Sequence, residues 1–320
     1  MKKIVLVGEC MIELTQSSSK NLKQSFAGDI FNTAVYLKRI FNQHKVHFIS
    51  AIGVDQFSTD MLNSCIQESL NTELVFRMPE KNIGLYSIQT DNDGERNFTY
   101  WRNDSAARQL MQFIDEQVIT QLTKADMVFF SGISLAVITP AHREKFWFFI
   151  EKLKNAGVTI VFDPNYRAAM WENEIQAKDQ FEQAFYQADI ILPGVDDFKD
   201  LYGLTSAEQI VEFCQSYAIQ ELIIKNGQHG IFCCHQGNRD YFDIVAVDKV
   251  IDSTAAGDSF NGAYLGARLQ GFSVAEAVNL ASKVAAIVIQ YQGAIVPFNI
   301  FTKHLAEISK KEAIGVKLFH

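Results

Sequence analysis

The chain has 320 residues, of which 48% are hydrophobic and 21% charged, and its net charge is −8. This is globular composition with ample length for a large core. The acidic balance argues against a nucleic-acid partner, and no apolar run is long enough to span a bilayer, which argues against a membrane partner. The five cysteines (Cys10, Cys65, Cys214, Cys233 and Cys234) are scattered without zinc spacing, which predicts reduced thiols in a cytoplasmic protein.

The opening MKKIVLVGEC has an apolar run too short for a signal peptide, and Glu9 and Glu13 interrupt it, so residues 3–8 are predicted as a first buried strand. Segments 11–15, 74–78, 85–90 and 96–100 read as strands without helices between most of them, with a turn signal at Asp91-Asn92-Asp93-Gly94. They predict a small antiparallel sheet, formed by excursions at about 10–28 and 72–105, beside the main one. Core units are interleaved with them: helices near 30–41 and 58–69 and a strand at 46–52. From about residue 110 strands and helices alternate. Strands are expected at 125–131, 158–162, 190–192 and 221–225, and helices at 140–156, 196–202 and 207–217. Residues 231–234 and 241–245 flank Gln236-Gly237-Asn238, a hairpin signal, and Ser273-Val274-Ala275-Glu276 reads as a capping box before a long apolar helix. Repeated strand–helix units predict a mostly parallel sheet covered on both faces, and the small sheet would serve as a lid that keeps water from the site.

The stretch Asp252-Ser253-Thr254-Ala255-Ala256-Gly257-Asp258-Ser259-Phe260 carries most of the chemistry. It reads as a strand end, a loop of small residues, and a helix opening at Asp258. Ala255, Ala256 and Gly257 let the backbone approach a bound group, and the free N–H groups of the helix start seat an anion such as phosphate. A carboxylate at that entrance makes sense if Asp258 takes a proton from a hydroxyl as a phosphoryl group arrives. An isolated Asp after Gly is more often a helix cap. Asp29 and Asn32, in Ala27-Gly28-Asp29-Ile30-Phe31-Asn32, lie one helical turn apart and suit vicinal hydroxyls. Arg102 and Arg167, near strand ends, can grip a planar carboxylate through forked hydrogen bonds, although each alone is more often a solvated surface residue.

Residues 252–260 resemble the D-T-x-G-A-G-D-x-F signature of the ribokinase-like (PfkB) sugar kinases, with Ala255 where the signature has its first glycine. Residues 27–32 are similar to the family's G-G-D-x-x-N, with Ala27 in place of its first glycine. GECMIEL, GLYSIQTDNDGERNFTYWRNDSAA, SGISLAV and DPNYR followed by Trp171 resemble the 2-keto-3-deoxygluconate kinase branch, and the similarity spans residue 4 to about residue 297. The resemblance implies a single kinase domain over 1–320, three-layer α/β/α with a mostly parallel central sheet and an antiparallel lid. It also implies transfer of phosphate from ATP to the 6-hydroxyl of 2-dehydro-3-deoxy-D-gluconate. Carried over by position, Asp258 would be the base, with the N–H groups of Ala255, Ala256 and Gly257 around the moving phosphoryl group. Gly28, Asp29, Asn32, Tyr86, Tyr100, Arg102 and Arg167 would contact the sugar acid. Asn165, Lys225, Gly227 and Gly230, with Ala255 and Gly257, would contact ATP. Many relatives carry N-x-x-E for a magnesium-linked water network. Gly194-Val195-Asp196-Asp197 stands there instead, so no protein metal cage is expected; Asp197 takes the acidic place, acting through water, and magnesium arrives with ATP. A monovalent cation near the carbonyls of Ile251 and Gly293, and a homo-oligomer joined through the lid, are family traits that the sequence leaves open. Open too are a related kinase for fructose, ribose or another deoxy-sugar acid, and a non-catalytic sugar sensor. A Rossmann dehydrogenase is disfavoured because no G-x-G-x-x-G follows the first strand.

Overall fold

Successive residues of the first strand, β1 (Lys3–Val7), point to opposite faces: Ile4 and Leu6 enter one hydrophobic core, Val5 and Val7 another. A strand buried on both sides needs a sheet with helices on both faces. The computed structural model, which describes residues 1–16, 21–90 and 96–312, has that form. The predicted turn at 91–94 lies outside the described residues. In chain order there follow β2 (Met11–Gln16), β3 (Leu22–Ala27), α1 (Asp29–Ile40), β4 (Lys45–Ile52), α2 (Gln56–Gln67), β5 (Val75–Arg77), β6 (Leu85–Thr90) and β7 (Arg96–Trp101). The alternating part is α3 (Glu116–Leu122), β8 (Met127–Ser131), α4 (Gly132–Val137), α5 (Arg143–Asn155), β9 (Thr159–Asp163), α6 (Glu174–Gln187), β10 (Ile190–Ile191), α7 (Val195–Tyr202), α8 (Ala207–Cys214) and β11 (Glu221–Lys225). A hairpin of β12 (Ile231–His235) and β13 (Asn238–Phe242) leads to α9 (Ala256–Gln270), α10 (Val274–Val288) and α11 (Phe298–Glu312).

The main sheet has nine strands in the order β13-β12-β11-β10-β9-β8-β1-β4-β5. From β11 to β5 every neighbouring pair is parallel, and the hairpin adds antiparallel strands at one edge. Phe31 and Leu37 of α1, Tyr264 of α9 and Val284 of α10 fill the core on one face. Phe146 of α5, Phe181 and Phe185 of α6 and Phe198 of α7 fill the other. Parallel strands place all their C-terminal ends along one edge, where ligands of open α/β sheets bind. Ser131, Asp163 and Lys225 end β8, β9 and β11 there.

The small sheet runs β3-β2-β6-β7, with antiparallel outer pairs and a parallel β2–β6 pair at its centre. The strand expected at 74–78 does not join it. β5 pairs with β4 at the edge of the main sheet, where Phe76 stacks on Phe113 with ring centroids 5.0 Å apart. The lid's fourth strand is β3, whose Leu22, Lys23 and Gln24 are exposed and give little alternating signal. The hairpin is also tighter than expected. Gln236 and Gly237 both take positive φ (49° and 79°), forming a two-residue turn that draws Asn238 into register with His235.

Two glycines of α9 set its distance from α1. A Cβ on Gly262 would lie 2.6 Å from the Thr33 carbonyl oxygen and 2.9 Å from the Leu37 nitrogen, and one on Gly266 would strike the Phe41 ring. The helices therefore meet nearly backbone to backbone. Among the described residues no helix is long and apolar enough to cross a membrane.

Candidate active site

Helix α9 opens at Ala256, two residues earlier than the sequence suggested, so Asp258 sits inside the first turn rather than at the entrance. Ala255 is the N-cap with φ −109°, a backbone that accepts a methyl group and explains why alanine stands there in place of glycine. The tight loop uses one of the three expected donors: the Ala256 N–H donates to the Ser253 carbonyl at 3.2 Å. Those of Ala255 and Gly257 remain uncommitted among the described residues. Asp252 braces the loop by accepting from Thr254 N at 2.9 Å and from Gly293 N at 2.8 Å, which holds the segments around Ile251 and Gly293 together.

The Asp258 carboxylate accepts from Asn32 Nδ2 at 2.8 Å, and its backbone carbonyl accepts from Thr33 Oγ1 at 3.2 Å. Both contacts depend on the close helix crossing. Desolvation, then the charge of Asp29, pushes Asp258 up to about 8; the Asn32 hydrogen bond and Lys225 pull the other way. Gly28 precedes α1 where a side chain has no room, since its Cβ would lie 2.5 Å from the Glu9 carbonyl oxygen. Asp29 Oδ2 accepts from Ser131 Oγ at 2.6 Å and from Asn165 Nδ2 at 3.0 Å. Burial raises the Asp29 pKa, and the Ser131 hydrogen bond opposes it. Asn165 reaches Asp29 from a left-handed backbone (φ 33°), a conformation Asn tolerates. Gly132 permits the approach, because a Cβ there would collide with the Pro164 carbonyl.

One cleft brings together Asn165, Arg167, Asp197, Lys225, Gly227, Gly257 and Asp258. Its lining also includes an apolar wall (Ile231, Ile244, Val250, Phe260, Ala285 and Ile289), a surface suited to a flat aromatic base that the motifs do not indicate. Gly230 is not among its lining; it packs against the hairpin, its Cβ position 2.5 Å from the Phe242 carbonyl oxygen. The expected acidic residue, Asp197, accepts from Tyr166 N and Gly194 N, both at 2.8 Å, and so fixes the turn that presents Arg167. Desolvation and the charge of Asp163 push Asp197 up to about 6. Among the described residues no group of three or more His, Cys, Asp or Glu could hold a metal ion.

The lid residues divide. Tyr86 is buried, donates its hydroxyl proton to Glu13, and stacks on Tyr100 with ring centroids 5.6 Å apart; Tyr100 itself is half exposed. Ser25 Oγ also donates to Glu13, at 2.8 Å. Glu13 and Ser25 face the Asp252–Thr254 and Gly293–Ala294 loops across a second cleft. The two arginines expected to act as a matched fork differ. Arg167 is exposed and opens onto the Asp258 cleft, its Nη1 donating to the Tyr166 carbonyl at 2.9 Å. Arg102 is only 9% exposed, is ion-paired with buried Glu9, and lies with Nη1 3.5 Å from Met170 Sδ. A buried guanidinium needs a counter-charge, and Glu9 supplies it. Glu9 and Glu13 had registered in the sequence only as interruptions of an apolar run. Asp163 in DPNYR and Ser131 in SGISLAV had no assigned part, and Asn261 directly follows the stretch 252–260.

The family profile described as pfkB family carbohydrate kinase matches residues 1–300. The chain is 37% identical over 303 residues to a 2-dehydro-3-deoxygluconokinase of Dickeya dadantii, covering 92% of this chain and 97% of that one. Among solved structures, a PfkB protein from Polaromonas sp. JS666 superposes with a TM-score of 0.81 at 23% identity, covering 97% of this chain and 99% of that one. A fructokinase with bound ATP from Xylella fastidiosa gives a TM-score of 0.80 at 19% identity, with the same coverage. At such identities the structural likeness speaks for the fold. With the sequence match across nearly its whole length, the chain belongs to the pfkB family of carbohydrate kinases.

Proposed function

We propose that the protein transfers the γ-phosphoryl group of ATP to the primary hydroxyl of 2-dehydro-3-deoxy-D-gluconate, giving the 6-phosphate. The observation that carries this reading is the Asp258 carboxyl, held by Asn32 and raised to about 8, in the first turn of a helix whose entry loop leaves backbone N–H groups uncommitted beside Lys225. The choice of sugar acid is supported by the 2-dehydro-3-deoxygluconokinase relatives and by Arg167, an exposed guanidinium on the cleft.

The hydroxyl oxygen bonds to the γ-phosphorus as its O–H bond breaks and the proton passes to Asp258; the bond to the bridging β,γ-oxygen breaks and ADP leaves. The N–H groups of Ala255 and Gly257, with the Lys225 ammonium, stabilise charge on the moving group. One such donor is worth about 3 kcal/mol. Gly28, Asp29, Asn32, Tyr86, Tyr100 and Arg102 surround the sugar acid, and Arg167 takes its carboxylate. Asn165 and Gly227 flank the phosphates, and the apolar wall takes the base. A divalent cation accompanying ATP fits this cleft, where Asp163 Oδ1 is buried without a partner and Asp197 lies near; when bound it neutralises phosphate charge. A monovalent cation beside the Ile251 and Gly293 loops is supported by their tie through Asp252. Pairing of two copies through the lid is supported by exposed Leu22, Phe98 and Trp101, and a cytoplasmic setting by the free cysteines.

Coupled ADP release against aldonic, ketodeoxy and neutral sugars tests the assignment. The ketodeoxy acid should give the highest kcat/KM; a neutral ketohexose that outruns it would move the protein to another kinase activity of the family.

A further inference from the structure

Lysine usually meets phosphate as a mobile point charge on a flexible stem. Lys225 is not free in that way. An ammonium carries three N–H donors, and two are taken: Nζ lies 3.2 Å from Asp163 Oδ2 and 3.2 Å from Asn261 Oδ1. The Asn261 amide has no choice of orientation, because its Nδ2 donates to the same Asp163 oxygen at 2.6 Å and leaves the carbonyl for the lysine. Asp163 and Asn261 are 5% and 1% exposed, so the triangle is shielded from competing water. They come from the end of β9 and the second turn of α9, and the lysine from the end of β11, so rigid elements hold all three corners. One N–H of Lys225 is left for the cleft, where Nζ lies 3.8 Å from the position a Cβ on Gly257 would take.

We infer that Asp163 and Asn261 are positioning residues that turn Lys225 into a fixed donor aimed at the transferring phosphoryl group. The inference rests on the phosphoryl-transfer reading above. Asp163 supplies the charge that keeps the ammonium in place, and Asn261 supplies the angle. Neither needs to touch the substrate.

A double-mutant cycle tests this. Lys225→Met should lower kcat by about 10²- to 10³-fold, and Asp163→Asn or Asn261→Ala by about 10²-fold through misplacement of the ammonium. Because Asn261 acts through Lys225, Asn261→Ala should not lower kcat by more than about twofold further in the Lys225→Met background; a loss that multiplies there would overturn the inference. Asp163 also lies beside the proposed cation, so Asp163→Asn should lower kcat at least as far as Asn261→Ala, and a smaller loss would equally overturn it. A second readout needs no sugar: the gain in ADP affinity on adding aluminium fluoride, a mimic of the transferring group, measured calorimetrically with magnesium. Asn261→Ala should lose that gain and keep the affinity for ADP alone; a retained gain would refute the positioning role. A parent protein that turns over no ATP with any sugar would remove the phosphoryl-transfer reading, and this inference with it.

Discussion

Two substitutions on α1 should move the acid limb of the pH–rate profile in opposite directions. Asp258 must be ionised to accept a proton, and its pKa of about 8 means that kcat/KM rises with pH and levels off above that value. Asn32→Leu deletes the 2.8 Å hydrogen bond to the charged carboxylate. Such a bond is worth about 1.5–3 kcal/mol, which at about 1.4 kcal/mol per pH unit moves the limb roughly 1 to 2 units upward. Asp29→Asn removes the neighbouring like charge, the second-largest cause of the elevation, and should lower the limb by on the order of 1 unit. Initial rates from coupled ADP release, taken over roughly pH 6 to 10 in one mixed buffer, report both shifts. Asp29 and Asn32 also surround the proposed acceptor, so KM will change; the pH at half-maximal kcat/KM is the quantity that decides. Limbs that stay with the parent, or move the same way in both variants, would show that another group limits the rate and that Asp258 is not the titrating base.

Asp258→Asn should raise stability in alkaline buffer. The native pKa lies above the usual 3.8, so the folded state holds the proton more tightly and stability falls as pH climbs towards about 8, with a ceiling of about 5–6 kcal/mol for the whole shift. Thermal melts at pH 5 and pH 9 should show the variant's advantage widening with pH; a constant gap would contradict the assignment. Gly262→Ala forces a Cβ to within 2.6 Å of the Thr33 carbonyl oxygen, so α1 and α9 must separate at a cost of about 1–3 kcal/mol. Its melting temperature and kcat should fall together, and an unchanged kcat would uncouple the crossing from the chemistry. Arg167→Ala should raise KM for sugar acids and leave that for ATP nearly unaltered. Because Arg167 shares a cleft with Lys225, an equal rise for ATP would place the guanidinium on phosphate instead.

The alternating half of the chain was readable because buried parallel strands leave short apolar runs between helices, as at 127–131 and 221–225. The loop ahead of α9 was readable because small residues before a helix have few other uses. Which sheet a short strand joins is not a local property, so β5 was expected in the lid. β3 escaped notice because half of it faces solvent. The state of Arg102 depends on Glu9, 93 residues away in sequence, and no pattern around either residue reveals that neutralisation. The Asp163–Asn261–Lys225 triangle is a long-range product of the same kind.

The intermeshing of α1 and α9 at Gly262 and Gly266 makes one stiff block of the proton acceptor and the amide that steadies it. The four-stranded sheet is tethered to that block through a single residue, Gly28, between β3 and α1. A strain on the sheet therefore reaches the start of α1 first, one turn ahead of Asn32, while the Asn32–Asp258 bond lies within the block and keeps the acceptor set from one turnover to the next.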